Sequence, residues 1–415
     1  MALITTASAS TDADIAPQHP YRWVMLTGVW LLYFSFAMIV TSIAPLVEVI
    51  ETDIGIGHAT MGTVLGAWPL IYIASSAPCG ALLDRFGPRR MLFLALLVIA
   101  LSAALRSLST SYIELFLSVV VFGIGGPVVS AGAPKVISLW FSGQDRGLAV
   151  GIYYTGNAFG GIYALSMTNS VMMPLLGNDW RNVMLAYSAF ALCAGLIWLG
   201  ISSHPASRDM EIRLAAEDKP PFIQVFFELI KNPLVRTILT MAIFILFFNH
   251  GLNNWMPTIL QSYGMNSTQA GYWASLPTAI GALSALIIPR LATGERRFTI
   301  MVGVLTAAML TTMLIYTATM PWLGLGLILQ GICRSAMTAI AILILMDLNH
   351  GNSHHVGAAS GLYFSAGEIG GALGPMSVGV LADVTEGFAV PLFMMTGVSV
   401  VLMLLLARLR YLMRE

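Results

Sequence analysis

The sequence predicts an all-α membrane protein with twelve transmembrane helices in two pseudo-symmetric six-helix bundles. Three observations carry that prediction. First, 57% of the 415 residues are hydrophobic and only 10% are charged, against roughly 25% charged in a soluble domain. No compact soluble fold hides that much apolar surface, whereas a lipid-facing exterior accommodates it. Second, the apolar residues fall into runs long enough for spanning helices, without the strand-sized alternation of a β-barrel. Third, one segment is written twice, 210 residues apart: Gly151-Ile-Tyr-Tyr-Thr-Gly-Asn-Ala-Phe-Gly-Gly161 returns as Gly361-Leu-Tyr-Phe-Ser-Ala-Gly-Glu-Ile-Gly-Gly371. Most positions are identical or similar, and the sharp exception is Ala158, which becomes Glu368. A repeat inside apolar runs indicates two similar halves.

The elements follow in order. Residues 1–22 read as a polar cytoplasmic tail with Asp12 and Asp14 and no secretory signal. Six apolar runs near 23–47, 61–83, 90–108, 112–140, 147–173 and 181–201 form an N-terminal bundle over 23–201. Residues 202–233 hold Pro205, Pro220, Pro221 and Pro233 among mixed charges and read as a cytoplasmic linker. Within it, Phe222 to Lys231 has the pattern of a short amphipathic helix on the membrane surface. Runs near 234–261, 269–292, 298–319, 321–348, 357–382 and 389–411 form a C-terminal bundle over 234–415.

Lys and Arg set the orientation. With both termini inside the cell membrane (an inner membrane), the inner segments hold sixteen of the 20 basic residues. The outer loops keep Arg106 and Arg181, and Lys135 and Arg334 remain inside spans. Net charge is zero, so no nucleic-acid partner is expected. Cys79, Cys193 and Cys333 all lie in apolar runs and read as small buried hydrophobes, without disulfide or metal spacing. No cofactor and no metal are expected. No phosphate-cradling loop or nucleophile elbow stands in a fitting context, so the sequence does not read as an enzyme; His354-His355 is a loop pair without further ligands.

Between spans two and three stands Gly80-Ala-Leu-Leu-Asp84-Arg85-Phe86-Gly87-Pro88-Arg89-Arg90. Gly80 permits close helix approach and Gly87 a tight turn. A carboxylate at one helix end favours the positive N-terminus of another. The plain alternative, retention of a loop inside by its positive charge, accounts for Arg89 and Arg90 but not for Asp84 or the glycines. This loop resembles the signature of the major facilitator superfamily, glycine-x-x-x-aspartate-arginine-x-glycine-arginine-arginine, with Pro88 as an added residue. The resemblance implies the major facilitator fold and a secondary transporter working by alternating access. It also implies a cytoplasmic gate in which Asp84 faces the start of span eleven, near Gly357. Arg146, in Gln144-Asp145-Arg146-Gly147, resembles the usual basic partner of that aspartate. In the second half, Leu291 stands opposite Asp84, so the latch is one-sided.

An ionised side chain near mid-bilayer costs roughly 2.5–3.5 kcal/mol even on lenient scales. Glu368 lies near the middle of span eleven, on a face shared with Gly357, Gly361 and Ala372. Arg334 lies at similar depth in span ten, with Gln330 and Thr338 one turn away on either side. Glu368 reads either as a proton-coupling site or as a buried structural carboxylate. Arg334 reads either as an anion-binding residue or as the structural partner of Glu368. Lys135, nearer the cytoplasmic end of span four, reads as a binding residue or a snorkelling one. Span seven carries His250, Asn253 and Asn254 beside Asn249, with Gly251 and Pro257 allowing a bend. In the family, spans one, four, seven and ten line the cavity, which places that polar run toward a substrate. Trp68, Tyr72, Ser75 and Cys79 form a stripe on span two, where aromatics serve either binding or packing. Asn157 in span five is a further candidate; Tyr153 recurs as Tyr363, which favours packing for that pair.

The resemblance extends in style to the oxalate/monocarboxylate and cyanate branches, through Lys135-Val-Ile-Ser-Leu-Trp-Phe141 and Arg146-Gly-Leu-Ala-Val-Gly151. Drug antiporters of the family carry a glycine-proline pair where this chain reads Gly156-Asn157. The resulting expectation is a symporter of a small organic anion with protons, compatible with a monomer in the bilayer. The alternatives are a proton-coupled exporter of amphipathic or drug-like compounds and a transporter-like ligand sensor without transport.

Overall fold

The computed structural model describes residues 19–207, 230–294, 296–348 and 353–414, with side chains except at 144, 347 and 353–360. The expected tail, the Phe222–Lys231 helix and the His354-His355 pair lie outside the described residues or side chains. Helix α1 spans Arg22–Thr41 and gives way to a tight turn, Ala44–Leu46, around Pro45. Proline lacks the N–H that would continue the helical ladder. A short helix, α2 (Val47–Ile54), then stops at Gly55, whose φ of 74° is the left-handed conformation that closes helices. The chain therefore stays helical past residue 47, where the apolar pattern placed its end.

Helix α3 (His58–Ser107) is 50 residues long and consists of two legs joined at Gly87, where φ is 77° and ψ is 158°. Pro88 follows, so the sequence supplies both the permissive residue and the breaker at the point where the chain turns. Helices α4 (Tyr112–Trp140), α5 (Gly143–Met167) and α6 (Trp180–Ser202) complete the first half. The second half holds α7 (Pro233–Ser262), α8 (Ser267–Leu291), α9 (Arg296–Tyr316), α10 (Trp322–Asp347), α11 (Ser353–Val384) and α12 (Ala389–Leu412). Side-chain caps mark several starts: Ser111 for α4, Asp179 for α6, Asn232 for α7, and a reciprocal Asn266–Gln269 pair for α8.

Among the described residues, nine helices are long and apolar enough to cross a membrane. One of these is α3, which counts as two legs. Adding α5 and α11, the two helices that carry the repeat, gives the twelve spans read from the sequence. Large apolar side chains point outward around the molecule, including Leu101, Leu117, Leu196 and Leu404, the last 66% exposed. A soluble protein does not leave such a surface to water, and a bilayer covers it.

The repeat has a packing cause. In the first half α5 lies on α1, and in the second α11 lies on α7. A side chain at Gly160 would collide with the Phe34 carbonyl of α1, and one at Gly370 would collide with the Ile243 carbonyl of α7. The two glycines thus make the same close approach in the two halves. Tyr153 and Tyr363 are both fully buried. Two further pairs join the halves: the first leg of α3 with α11, and α5 with α8.

Two placements differ from the sequence reading. Arg106 is 1% exposed rather than in an outer loop. It donates to the Ile39 carbonyl (2.9 Å) and Ser42 Oγ (3.2 Å), and its guanidinium lies 5.7 Å from the Phe122 ring. The break after α1 frees those acceptors, and a cation at a helix C-terminus is favourable. Cys193 is exposed on α6, whereas Cys79 and Cys333 are buried as expected.

Candidate functional site

Polar side chains from five helices converge halfway along the bundle. On α7, Asn249, His250, Asn253 and Asn254 occupy successive turns, so two point one way and two another. Asn254 turns back on its own helix, donating to the His250 carbonyl at 2.9 Å. Asn249 donates to the Arg334 carbonyl of α10 at 3.2 Å. Asn253 Oδ1 accepts from Arg334 Nη1 at 2.8 Å, and Thr278 Oγ1 of α8 accepts from the same nitrogen at 3.3 Å. Gln330, one turn before Arg334, is 2% exposed and its Oε1 has no partner.

Glu368 of α11 is 6% exposed. Its Oε2 lies 3.8 Å from His250 Nδ1, and both atoms are buried without a hydrogen-bond partner. Gly371 makes this meeting possible. A Cβ there would lie 2.8 Å from His250 Nδ1 and collide with Glu368 Oε2. The first half closes the site with Trp68, whose ring centroid is 5.4 Å from that of His250 at an interplanar angle of 32°. Tyr72 stands edge-on to Trp68 at 6.1 Å.

The Arg334–Glu368 pair, one of the two readings of these residues, does not form. Among the described residues no carboxylate is within ion-pair distance of Arg334, which is held instead by neutral acceptors. The cause is rotation: α10 presents Arg334 to α7 and α8, while α11 presents Glu368 to the His250 side of α7. Among the described residues, the site therefore offers a half-buried cation without a counter-charge beside a carboxyl–imidazole pair with open hydrogen-bonding capacity. No group of three or more metal-ligating side chains exists among the described residues.

Lys135 does not join this site. Its ammonium donates to Asp84 Oδ1 at 2.6 Å and to the Leu83 carbonyl at 3.3 Å. Because α4 packs along both legs of α3, Lys135 reaches the end of the first leg and belongs with the loop motif. Arg146 is exposed, and Lys135 holds Asp84 instead. The neighbouring Asp145 pairs with Arg22 at 3.0 Å. Arg89 donates to Ser203 Oγ at 3.0 Å while its carbonyl accepts from Trp198 at 3.0 Å, which fastens the second leg of α3 to α6. Arg85 lies over Phe86, and Arg90 is exposed. The expected partner of Asp84 near Gly357 falls outside the described side chains. Asn157 is half-buried on α5 and makes no hydrogen bond among the described residues.

Sequence reasoning missed Thr278 and Gly371. Thr278 carried one signal, a polar residue beside Pro277 in a long apolar run. Gly371 lay inside the repeat, where its counterpart Gly161 meets only ordinary contacts with Thr278 and Thr41.

A sequence profile of the Major Facilitator Superfamily matches residues 29–293 and 251–415. A 2-nitroimidazole transporter of Escherichia coli (strain K12) is 27% identical to this chain, over 92% of it and 94% of that relative. A probable galactarate/D-glucarate transporter of the same organism is 22% identical, over 81% of each chain. Among solved structures, a bacterial homolog to the human lysosomal transporter Spinster, in an inward-facing and occupied conformation, superimposes with a TM-score of 0.76. That likeness covers 95% of this chain and 97% of the other at 17% identity, a similarity of fold.

Proposed function

The chain belongs to the major facilitator superfamily and is a transporter rather than an enzyme, and from that premise we propose that it carries a small organic anion together with a proton. The observation that supports this reading is the separation of two charges in one site. Among the described residues, Arg334 has only neutral partners, while Glu368 and His250 face each other at 3.8 Å with unpartnered atoms. A half-buried guanidinium whose described partners are all neutral favours a carboxylate ligand, because charge-assisted hydrogen bonds replace neutral ones.

In this reading the anion engages Arg334, with Asn253 and Thr278 holding the guanidinium in place. Glu368 takes the proton and His250 shares it. A bound anion and an ionised Glu368 repel at close range in a low dielectric, so anion and proton enter together. The galactarate/D-glucarate relative, whose named substrates are dicarboxylates, supports an anionic cargo. Both termini face the cytoplasm across the cell (inner) membrane, in keeping with sixteen of the 20 basic residues on that side. A second reading, proton-coupled export of amphipathic or drug-like compounds, draws on the Trp68–His250–Tyr72 wall and on the likeness to a 2-nitroimidazole transporter.

The test is transport in proteoliposomes under an imposed pH gradient with a panel of mono- and dicarboxylates. Accumulation of a carboxylate driven by an inward proton gradient is expected. If no carboxylate moves and a hydrophobic cation leaves against the gradient, the export reading replaces this one.

A further inference from the structure

The two halves are tied at the end opposite Asp84 by Asp383, near the C-terminus of α11. Its carboxylate accepts from the first backbone N–H groups of α3: His58 N–H to Oδ1 at 3.1 Å and Ala59 N–H to Oδ2 at 2.7 Å. The residue before that helix is Gly57, which has no side chain to cap it. The open donors at the start of α3 are thus satisfied from the other half of the molecule. A methyl on Gly57 would sit 3.0 Å from Asp383 Oδ2.

The contact behind this cap is close. A Cβ on Gly62 would be 2.7 Å from the Pro375 carbonyl, and one on Gly66 would be 2.6 Å from the Ala372 carbonyl. Trp255 of α7 donates to the same Pro375 carbonyl at 2.9 Å, and His58 stands edge-on to Trp255 at 5.2 Å. Along the same two helices toward the Asp84 end, Gly80 and Gly361 meet nothing within 4 Å. Ser76 Oγ and Ser365 Oγ lie 3.3 Å apart one turn in from these two glycines, so among the described residues the α3–α11 seam is packed most closely at the Asp383 end.

We propose that Asp383 is the latch that holds this end shut and sets how often it opens during transport. Asp84 and Asp383 then form a reciprocal pair: each lies at the C-terminal end of one of the two seam helices, at opposite ends of the seam. Opening the Asp383 end exposes the α3 donors to water and returns the carboxylate to solvent, so the latch biases an equilibrium rather than locking it.

The experiment uses the full chain in a cysteine-free background with one reporter at each end of the seam, Met376→Cys beside Gly62 and Gly66, or Gly361→Cys toward the Asp84 end. Labelling by a membrane-impermeant maleimide is timed from each side of the membrane. Asp383→Ala is expected to speed Met376→Cys labelling about fivefold, the size of one helix-terminus charge interaction, without speeding Gly361→Cys labelling. Asp383→Asn, which keeps an acceptor, falls between. Unchanged Met376→Cys labelling, or an equal rise at both reporters, overturns the proposal. If Asp383→Ala does not fold, Gly57→Ala decides, because it crowds the carboxylate without removing it. A rise at Met376→Cys alone supports the latch, and no rise overturns it.

Discussion

Glu368 Oε2 lies 3.8 Å from His250 Nδ1, and neither buried atom has a hydrogen-bond partner. The two residues come from α11 and α7, neighbours that pack closely because Gly370 and Gly371 clear the space between them. Trp68, from the other half of the molecule, lies over His250 at 5.4 Å. A shift of one half against the other therefore changes the surroundings of the imidazole directly. In the proposed function the proton site stands on this half-to-half contact, where binding and alternating access would act on each other.

Arg334→Ala should raise KM for the transported anion by about tenfold to a hundredfold, the loss of one or two charge-assisted hydrogen bonds. Asn253→Ala should cost less, since it removes only the 2.8 Å support of the guanidinium. Concentration dependence of uptake measures both. An unchanged KM in Arg334→Ala would assign the anion to other residues.

Lys135 and Asp84 should behave as one unit. Their 2.6 Å pair includes a carboxylate that is 50% exposed, so the coupling is expected near about 0.5–1 kcal/mol after solvent screening. A double-mutant cycle on transport rate with Lys135→Ala and Asp84→Ala measures it. The pair lies away from Arg334, so turnover should change while KM stays the same.

Gly371→Ala should fold yet uncouple transport. The three atoms nearest the added methyl belong to the His250 and Glu368 side chains, which can move apart. Uptake driven by the proton gradient should fall while exchange of labelled for unlabelled substrate persists, and equal loss of both would assign Gly371 to packing.

Gly160→Ala and Gly370→Ala should each destabilise the fold by about 1–3 kcal/mol, as overpacking does. Each places a methyl against a backbone carbonyl of the neighbouring helix, Phe34 or Ile243, which cannot yield as a side chain can. Thermal unfolding in detergent measures the pair. A tolerated substitution at either position would remove the packing account of the repeat.

The spans were legible because apolar length is a local property, and Gly87, at φ 77°, turns the chain where the loop motif placed a turn. The central polar residues were legible too, since Glu368, His250 and Arg334 interrupt apolar runs. Their pairing was not. Helical periodicity assigns a face to each residue, but the rotation of α10 and α11 about their own axes decides whether Glu368 meets Arg334 or His250. Lys135–Asp84 and Asp383–His58 join positions 51 and 325 residues apart, so only the packed seam brings them together. Arg106 misled because a basic residue at a span end reads as a loop charge, while here the broken end of α1 draws it into the bundle.

The central claim is that Glu368 carries the coupled proton, and the most direct measurement is a paired assay of Glu368→Gln in proteoliposomes. Glutamine keeps the size and removes the titration. The account predicts that carboxylate accumulation driven by a pH gradient is lost, while exchange of labelled for unlabelled carboxylate at equal pH continues at a rate near that of the unmodified protein. Accumulation that persists unchanged in Glu368→Gln would contradict it and leave Glu368 as a structural residue of the second half.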